Sequence, residues 1–332
     1  MKRSTLRPLA AALAVPMLAL AACGDAEPEN GADAGSGDDA QSYSVGVTQI
    51  AAHPSLDSSL VGFKAALADA GLEVEYDEQN AQGDQPTAIA IANDLASGGH
   101  DLILAIATPT AQAAAQAIID VPILITAVTE PLEAGLVDSW ELPGANLTGT
   151  SDLNPVAEQL ELLTEIAPDA QSVGIVYSAG EVNSEVQVEL AREAAAGLGV
   201  EIEVATVTNS GEVQQAADSL DVDAFYVPTD NTVIQSFEAL LQIAESKSIP
   251  LISADGDTVE RGAIATYGVD YELLGYQTGE MAVRILQDGA DPAEMPIETL
   301  TEWPLIVNPA AAERMGVELS AELLERADTV LE

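Results

Sequence analysis

The stretch Leu102-Ile103-Leu104-Ala105-Ile106-Ala107-Thr108-Pro109-Thr110 decides the fold. Its five leading apolar residues have no polar face. A strand made from them must be covered on both sides, as in a parallel sheet sandwiched between helices. Thr108-Pro109 then opens a helix, with threonine as a cap and proline in the first turn, where its missing N–H costs nothing. Working outward, the same unit recurs. Ser44–Ile50, Glu73–Tyr76, Ile123–Val128 and Asn146–Ser151 read as strands, with helices at Leu56–Ala70, Gln85–Ser97 and Pro109–Ile119. After a helix at Pro155–Ala167 the pattern begins again. Strands are expected at Ser172–Tyr177, Glu201–Val207, Ala224–Val227, Leu251–Ser253 and Ala263–Gly268, and helices at Val186–Leu198, Glu212–Leu220 and Thr232–Lys247.

Two βα series in tandem predict an α/β protein of two Rossmann-like lobes with parallel sheets. Beyond them remain an amphipathic helix at Tyr271–Gln287, a strand within Pro304–Asn308, and helices at Ala310–Met315 and Ala321–Ala327. These leftover elements imply that the chain crosses back between the lobes.

The N-terminus has a different character. Lys2, Arg3 and Arg7 precede an apolar stretch, Leu9 to Ala22, too short to span a membrane and built like a secretory signal. It ends in Leu20-Ala21-Ala22-Cys23-Gly24, which resembles a bacterial lipobox. That reading makes residues 1–22 a lipoprotein signal peptide and Cys23 the lipidated first residue of an extracytoplasmic, membrane-anchored protein. Cys23 is the only cysteine, so disulfides and thiolate metal sites are excluded. Residues 23–42 carry no large apolar side chain and are expected to form a disordered acidic tether.

The chain holds 55 acidic residues against 10 basic ones. Once the signal is removed, only Lys64, Arg192, Lys247, Arg261, Arg284, Arg314 and Arg326 remain as cations. Such a surface repels nucleic acid and anionic lipid head groups and suits a salty medium.

In parallel α/β sheets ligands bind outside the carboxyl ends of the strands. Here those ends are compact and polar. Gln49 lies at the end of the first strand and His53 just after it, Asn80 and Gln82 follow the second, Thr108 the third, and Thr129-Glu130 the fourth. In the second series, Thr229-Asp230-Asn231 and Asp255 occupy the equivalent places, and Ser55, Asn183, Ser184 and Tyr267 complete the candidate ligand-binding set. Any one of these residues also makes an ordinary helix cap; repetition around one rim favours binding. Asp230 and Asp255, without a neighbouring Lys or Arg, could receive an ammonium group, while amides and hydroxyls of Thr108 and Thr129 hold a carboxylate. The ligand would then be a zwitterion. Phe63, Tyr177, Phe225, Tyr226 and Tyr267 are the candidate ring partners for an aromatic ligand, most of them better suited to the core.

Enzyme chemistry finds little support. There is no G-x-S-x-G, P-loop or G-x-G-x-x-G motif. His53 and His100 belong to no metal-spaced cluster, and His100, in the turn Gly98-Gly99-His100-Asp101, is expected to be exposed. Asp255-Gly256-Asp257 lacks the spacing of a calcium loop. No cofactor or metal is expected.

Seven pieces carry a family resemblance: Ala52-His53-Pro54-Ser55-Leu56-Asp57, Gln79-Asn80-Ala81-Gln82-Gly83-Asp84, Ala105-Ile106-Ala107-Thr108-Pro109, Thr126-Ala127-Val128-Thr129, Asn146-Leu147-Thr148-Gly149-Thr150-Ser151-Asp152, Tyr226-Val227-Pro228-Thr229-Asp230-Asn231 and Ala265-Thr266-Tyr267-Gly268-Val269-Asp270. In unbroken order from about Ser44, they resemble the substrate-binding lipoproteins of ABC transporters of the tryptophan/tyrosine type. Glu130 departs from that pattern, which usually has aspartate there. The resemblance implies a type I periplasmic-binding fold with three crossovers. Lobe 1 would span 43–151 plus about 271–303, lobe 2 would span 152–270 plus about 304–332, and hinges would lie near Ser151, Asp270 and Trp303. It implies an ABC importer's solute-binding protein that takes up a small zwitterion, an aromatic amino acid foremost, and has permease subunits as partners. The alternatives are a ligand-sensing subunit of a membrane receptor and a binder of a sugar or nucleoside.

Overall fold

The computed structural model describes residues 42–332. The signal sequence, Cys23 and all of the expected tether but its last residue lie outside the described residues. Ser42, expected in the tether, begins a strand.

The first series runs β1 (Ser42–Gln49), α1 (Pro54–Asp69), β2 (Glu73–Asn80), α2 (Gln85–Leu95), β3 (Leu102–Ile106), α3 (Thr108–Ala117), β4 (Ile123–Thr126) and β5 (Leu147–Ser151). The second comprises α4 (Val156–Ile166), β6 (Ser172–Ser178), α5 (Val182–Leu198), β7 (Glu201–Val207), α6 (Val213–Ser219), β8 (Ala224–Val227), α7 (Asn231–Ile234), α8 (Phe237–Lys247), β9 (Leu251–Ser253), α9 (Gly256–Arg261) and β10 (Ala265–Tyr267). It is followed by α10 (Tyr271–Leu286), β11 (Glu298–Thr299), β12 (Leu305–Val307), α11 (Pro309–Arg314), α12 (Ala321–Arg326) and β13 (Thr329–Val330).

The first sheet has the order β11-β5-β4-β3-β1-β2, with every pair parallel. The second has the order β7-β6-β8-β9, again all parallel. Each sheet therefore reverses its winding direction beside its first strand, between β1 and β3 and between β6 and β8. Such switch points open the crevices where doubly wound sheets bind ligands. Strands β3 and β4 are buried along their whole length, as their apolar runs demand, whereas the edge strands β2 and β7 are partly exposed.

The chain does cross back. Helix α10 packs along α1 and β11 pairs with β5, while β12 pairs antiparallel with β10 and parallel with β13. The α1–α10 contact is built on glycine. A Cβ on Gly62 would fall 1.9 Å from the carbonyl oxygen of Glu272, and one on Gly275 would fall 1.9 Å from that of Ser59. The two backbones touch, which places the starts of both helices side by side.

Four local expectations change. The helix expected at Thr232–Lys247 breaks into α7 and α8 at Ser236, whose backbone leaves the helical region. Helix α5 begins at Val182 rather than Val186, bringing Asn183 and Ser184 into its first turn. Asp255-Gly256-Asp257 starts a short helix, α9, capped by Asp255 through the Thr258 N–H. His100 is not exposed: its side chain is 6% accessible and its Nδ1 lies 2.9 Å from the Ser44 hydroxyl, in space left by Gly46 and Gly98. None of the described helices is long and apolar enough to cross a membrane.

Candidate ligand-binding site

Where the two switch points face each other lies a narrow cavity of about 20 Å³, room for about one water between the walls. One wall carries His53, Ser55 and Leu56 from the start of α1, with Ala127 and Thr129 beyond β4. The opposite wall carries Asn183 from α5, Thr229, Asp230, Asn231 and Ile234 from the β8–α7 turn, and Asp255 beyond β9. Asp152, directly after β5, and Tyr271, at the start of α10, complete it. Thr129 Oγ1 and Thr229 Oγ1 approach to 3.4 Å across the gap, so the walls meet.

Eight of the residues expected from sequence are thus brought together: His53, Ser55, Thr129, Asn183, Thr229, Asp230, Asn231 and Asp255. The others serve different ends. Gln49 donates to the Ala51 carbonyl at 2.6 Å and to Asp57 at 2.8 Å, bracing the loop that holds His53. Asn80 accepts from Gln82 N at 2.8 Å in a local turn, with both residues outside the cavity wall. Thr108 is buried, outside the cavity lining, with an unpartnered hydroxyl. Glu130 accepts from Trp140 Nε1 at 2.6 Å and Glu133 N at 2.7 Å, which makes it a loop clamp. Ser184 donates to Asp230 at 2.7 Å. Tyr267 lies in a separate surface groove with Trp303 and Arg326.

Four of the five aromatic candidates belong to the cores. Phe63, Phe225 and Tyr226 are fully buried in the cores, and Tyr177 packs against the core of the second series. Tyr271, which sequence reasoning missed, is the one aromatic ring in the wall, joined by the imidazole of His53 and the apolar side chains of Leu56 and Ile234.

Asp230, expected to receive an ammonium group, already accepts hydrogen bonds from its own wall. Its Oδ1 accepts from Val233 N at 2.8 Å, and its Oδ2 accepts from Ser178 N at 2.6 Å and Ser184 Oγ at 2.7 Å. Three donors from its own wall occupy most of its acceptor capacity. Beside it, Glu181 accepts from the backbone and side chain of both Asn231 and Thr232 and from the amide of Asn183. Gln187 holds Thr229 by donating to its Oγ1 at 2.6 Å and accepting from its N–H at 3.1 Å. This wall is a pre-formed polar lattice.

The electrostatics follow from burial. Burial raises the carboxyls of Asp152 and Asp230 above the ordinary range, with the Glu181 carboxylate adding to the effect on Asp230. Burial pushes Asp255 up to about 6. His53 is pulled down to about 4, chiefly by burial, with Asn231 and Asp57 opposing, so its imidazole is neutral at pH 7. No cation lines the cavity. Every lysine and arginine among the described residues is committed to an ion pair with a carboxylate. Both ring nitrogens of His53, Oδ1 of Asp152 and Oδ1 of Asn183 are buried without a hydrogen-bond partner. Buried polar atoms are rarely left so, and a polar ligand is one way to satisfy them.

The backbone of this rim is strained. Ala107, at the end of β3, has φ +82° and ψ +153°, a region almost reserved for glycine, and Ala127 has φ +54°. Such outliers cost about 1–3 kcal/mol each and cluster at functional sites.

Among proteins of known sequence, this chain is 40% identical over 292 residues to a tyrosine-binding protein of Clostridioides difficile (strain R20291), covering 86% of this chain and 84% of the relative. Among solved structures, an ABC domain from Streptococcus pneumonia in complex with L-Trp superposes with a TM-score of 0.85 at 33% identity, over 88% of this chain and 100% of that one. The ligand-free, open structure of a substrate-binding protein with adhesive properties from Clostridium difficile is nearer in sequence, at 43%, but reaches a TM-score of only 0.66, over 87% of this chain and 99% of that one. Residues 44–331 match the model of the ABC transporter substrate binding protein family. The chain belongs to that family: it is an extracytoplasmic solute-binding protein with the type I periplasmic-binding fold, working with an ABC permease.

Proposed function

We propose that this protein closes on an α-amino acid with an aromatic side chain and delivers it to its permease. The buried charge of the cleft carries the reading. Carboxyls line it, no lysine or arginine is among its lining residues, and several lining residues carry buried acceptors without partners. A ligand that brings its own cation offsets that burial, which otherwise costs several kcal/mol per ion. In this reading neutral His53, Ser55 and Thr129 take the carboxylate, and Asn183, Thr229 and Asn231 complete the polar shell. Leu56, Ile234 and Tyr271 offer the side-chain contacts. The tyrosine-binding relative and the L-Trp complex favour an aromatic ring. Lobe 1 would comprise 43–151 plus about 271–303 and lobe 2 the remainder, closing about crossovers near Ser151, Asp270 and Trp303.

A thermal-shift titration of the full chain in detergent tests this. L-tyrosine or L-tryptophan at 100 times its dissociation constant should add about 2.7 kcal/mol, raising the melting temperature by about 5–10 °C. If no amino acid shifts the transition while a sugar or nucleoside does, the zwitterion reading fails.

Cys23, at the end of the lipobox-like Leu20-Ala21-Ala22-Cys23, would carry the lipid that keeps the protein beside its permease at high effective concentration. Replacing it, Cys23→Ser, should move the protein from the membrane fraction to the soluble one with unchanged ligand affinity. Membrane retention of that variant would count against lipidation.

A further inference from the structure

We propose that Asp152 is the group that receives the ligand's ammonium. The proposal rests on the amino-acid reading above and names the residue that makes the cleft require an amine.

Three aspartates line the cavity, and they differ in what their oxygens already hold. Both oxygens of Asp230 are occupied by the Val233, Ser178 and Ser184 donors. Asp255 spends Oδ1 on the Thr258 N–H at 2.9 Å as the cap of α9. Asp152 is 3% exposed; its Oδ2 accepts from the Tyr271 hydroxyl at 2.8 Å, and its Oδ1 is buried with no partner. Of the three, it alone has a carboxylate oxygen that is both fully buried and without a hydrogen-bond partner. The unpartnered Oδ1 of Asn183, in the opposite wall, is a second acceptor with no donor. An ammonium group has three N–H donors and a full positive charge, which suits a carboxylate and an amide oxygen together.

The place of Asp152 in the chain adds a consequence. It follows β5, where the chain leaves the first sheet, and Tyr271 opens α10, where the chain returns to it. The Asp152–Tyr271 bond therefore ties two strand-to-helix crossings that lie far apart in sequence. An amine bound to Oδ1 engages the pivot as well as the walls.

The test compares ligands with and without the amine on the full chain in detergent, by calorimetry. Probes are L-tyrosine and 3-(4-hydroxyphenyl)propionate, which keeps the ring and carboxylate but lacks the ammonium. Asp152→Asn should weaken L-tyrosine at least thirtyfold, since one member of a buried charged pair is removed. It should change binding of the amine-less acid by less than threefold. Equal losses for both probes, or no loss for L-tyrosine, would overturn the assignment. Should Asp152→Asn fail to fold, Tyr271→Phe takes its place, as it loosens the carboxylate without removing it. A loss confined to L-tyrosine supports the assignment, and an equal loss for both overturns it. If the wild type binds neither L-tyrosine nor L-tryptophan, the aromatic reading has failed, and the comparison is repeated with whichever α-amino acid stabilises the protein. If none does, both proposals fall.

Discussion

Asp230→Ala should lower the melting temperature of the ligand-free protein by about 6–12 °C, a loss of about 3 kcal/mol. The substitution strands the Val233 and Ser178 N–H groups and the Ser184 hydroxyl, all buried. Each unsatisfied donor costs about 1–3 kcal/mol, and relief of the buried carboxylate offsets part of the sum. The pH dependence provides a second signature. Because the carboxyl's folded pKa is raised, the folded protein holds a proton at pH values where the unfolded chain has lost it. Stability therefore falls as pH rises from the ordinary carboxylate value through the folded one, and is flat above it. Asp255, at about 6, contributes with the same sign. Thermal melts from pH 4 to 8 should show this slope in the wild type and a shallower one in Asp230→Ala. A variant that melted like the wild type but bound no ligand would return Asp230 to the role of ligand group.

Gly275→Ala should cost about as much for a different reason. The added Cβ would sit 1.9 Å from the Ser59 carbonyl oxygen, and backbone cannot yield as a side-chain tip does. The helices α1 and α10 must separate, at about 3 kcal/mol or more. Because α1 begins at His53-Pro54 and α10 at Tyr271, the wedge should also displace both walls and weaken ligand binding. Gly197→Ala is the internal contrast. That exposed glycine of α5 has nothing within 4 Å of a new Cβ, so the same change there should stabilise by about 0.5–1 kcal/mol. Denaturant melts of the two variants decide the point, and equal effects would rule out the contact as the cause.

Much of the site was legible at the level of the rim. His53, Thr129, Thr229 and Asp255 follow strands in the sequence, and the switch-point geometry of both sheets brings them to one cavity. Tyr267 misled because it too ends a strand, yet β10 lies beyond β9, away from the switch point, and its ring faces another groove. Asp152 and Tyr271 went unseen as ligand groups. Neither shows the strand-then-cap pattern, since α4 starts only at Val156 and the cap of α10 is Asp270. What places them in the cavity is the crossing of the chain between the sheets, a contact across 119 positions.

From sequence alone followed the doubly wound class, the second βα series, the return crossing and the polar rim. These rest on local rules: apolar runs that need cover on both faces, helix periods, and caps at strand ends. Tertiary structure alone decided which acid is spent and which is free. In the sequence Asp152, Asp230 and Asp255 are three aspartates that follow strands. In the fold, three donors converge on Asp230, one helix start takes Asp255, and Asp152 keeps an oxygen with no partner. A side chain's remaining hydrogen-bonding capacity depends on neighbours that only folding assembles.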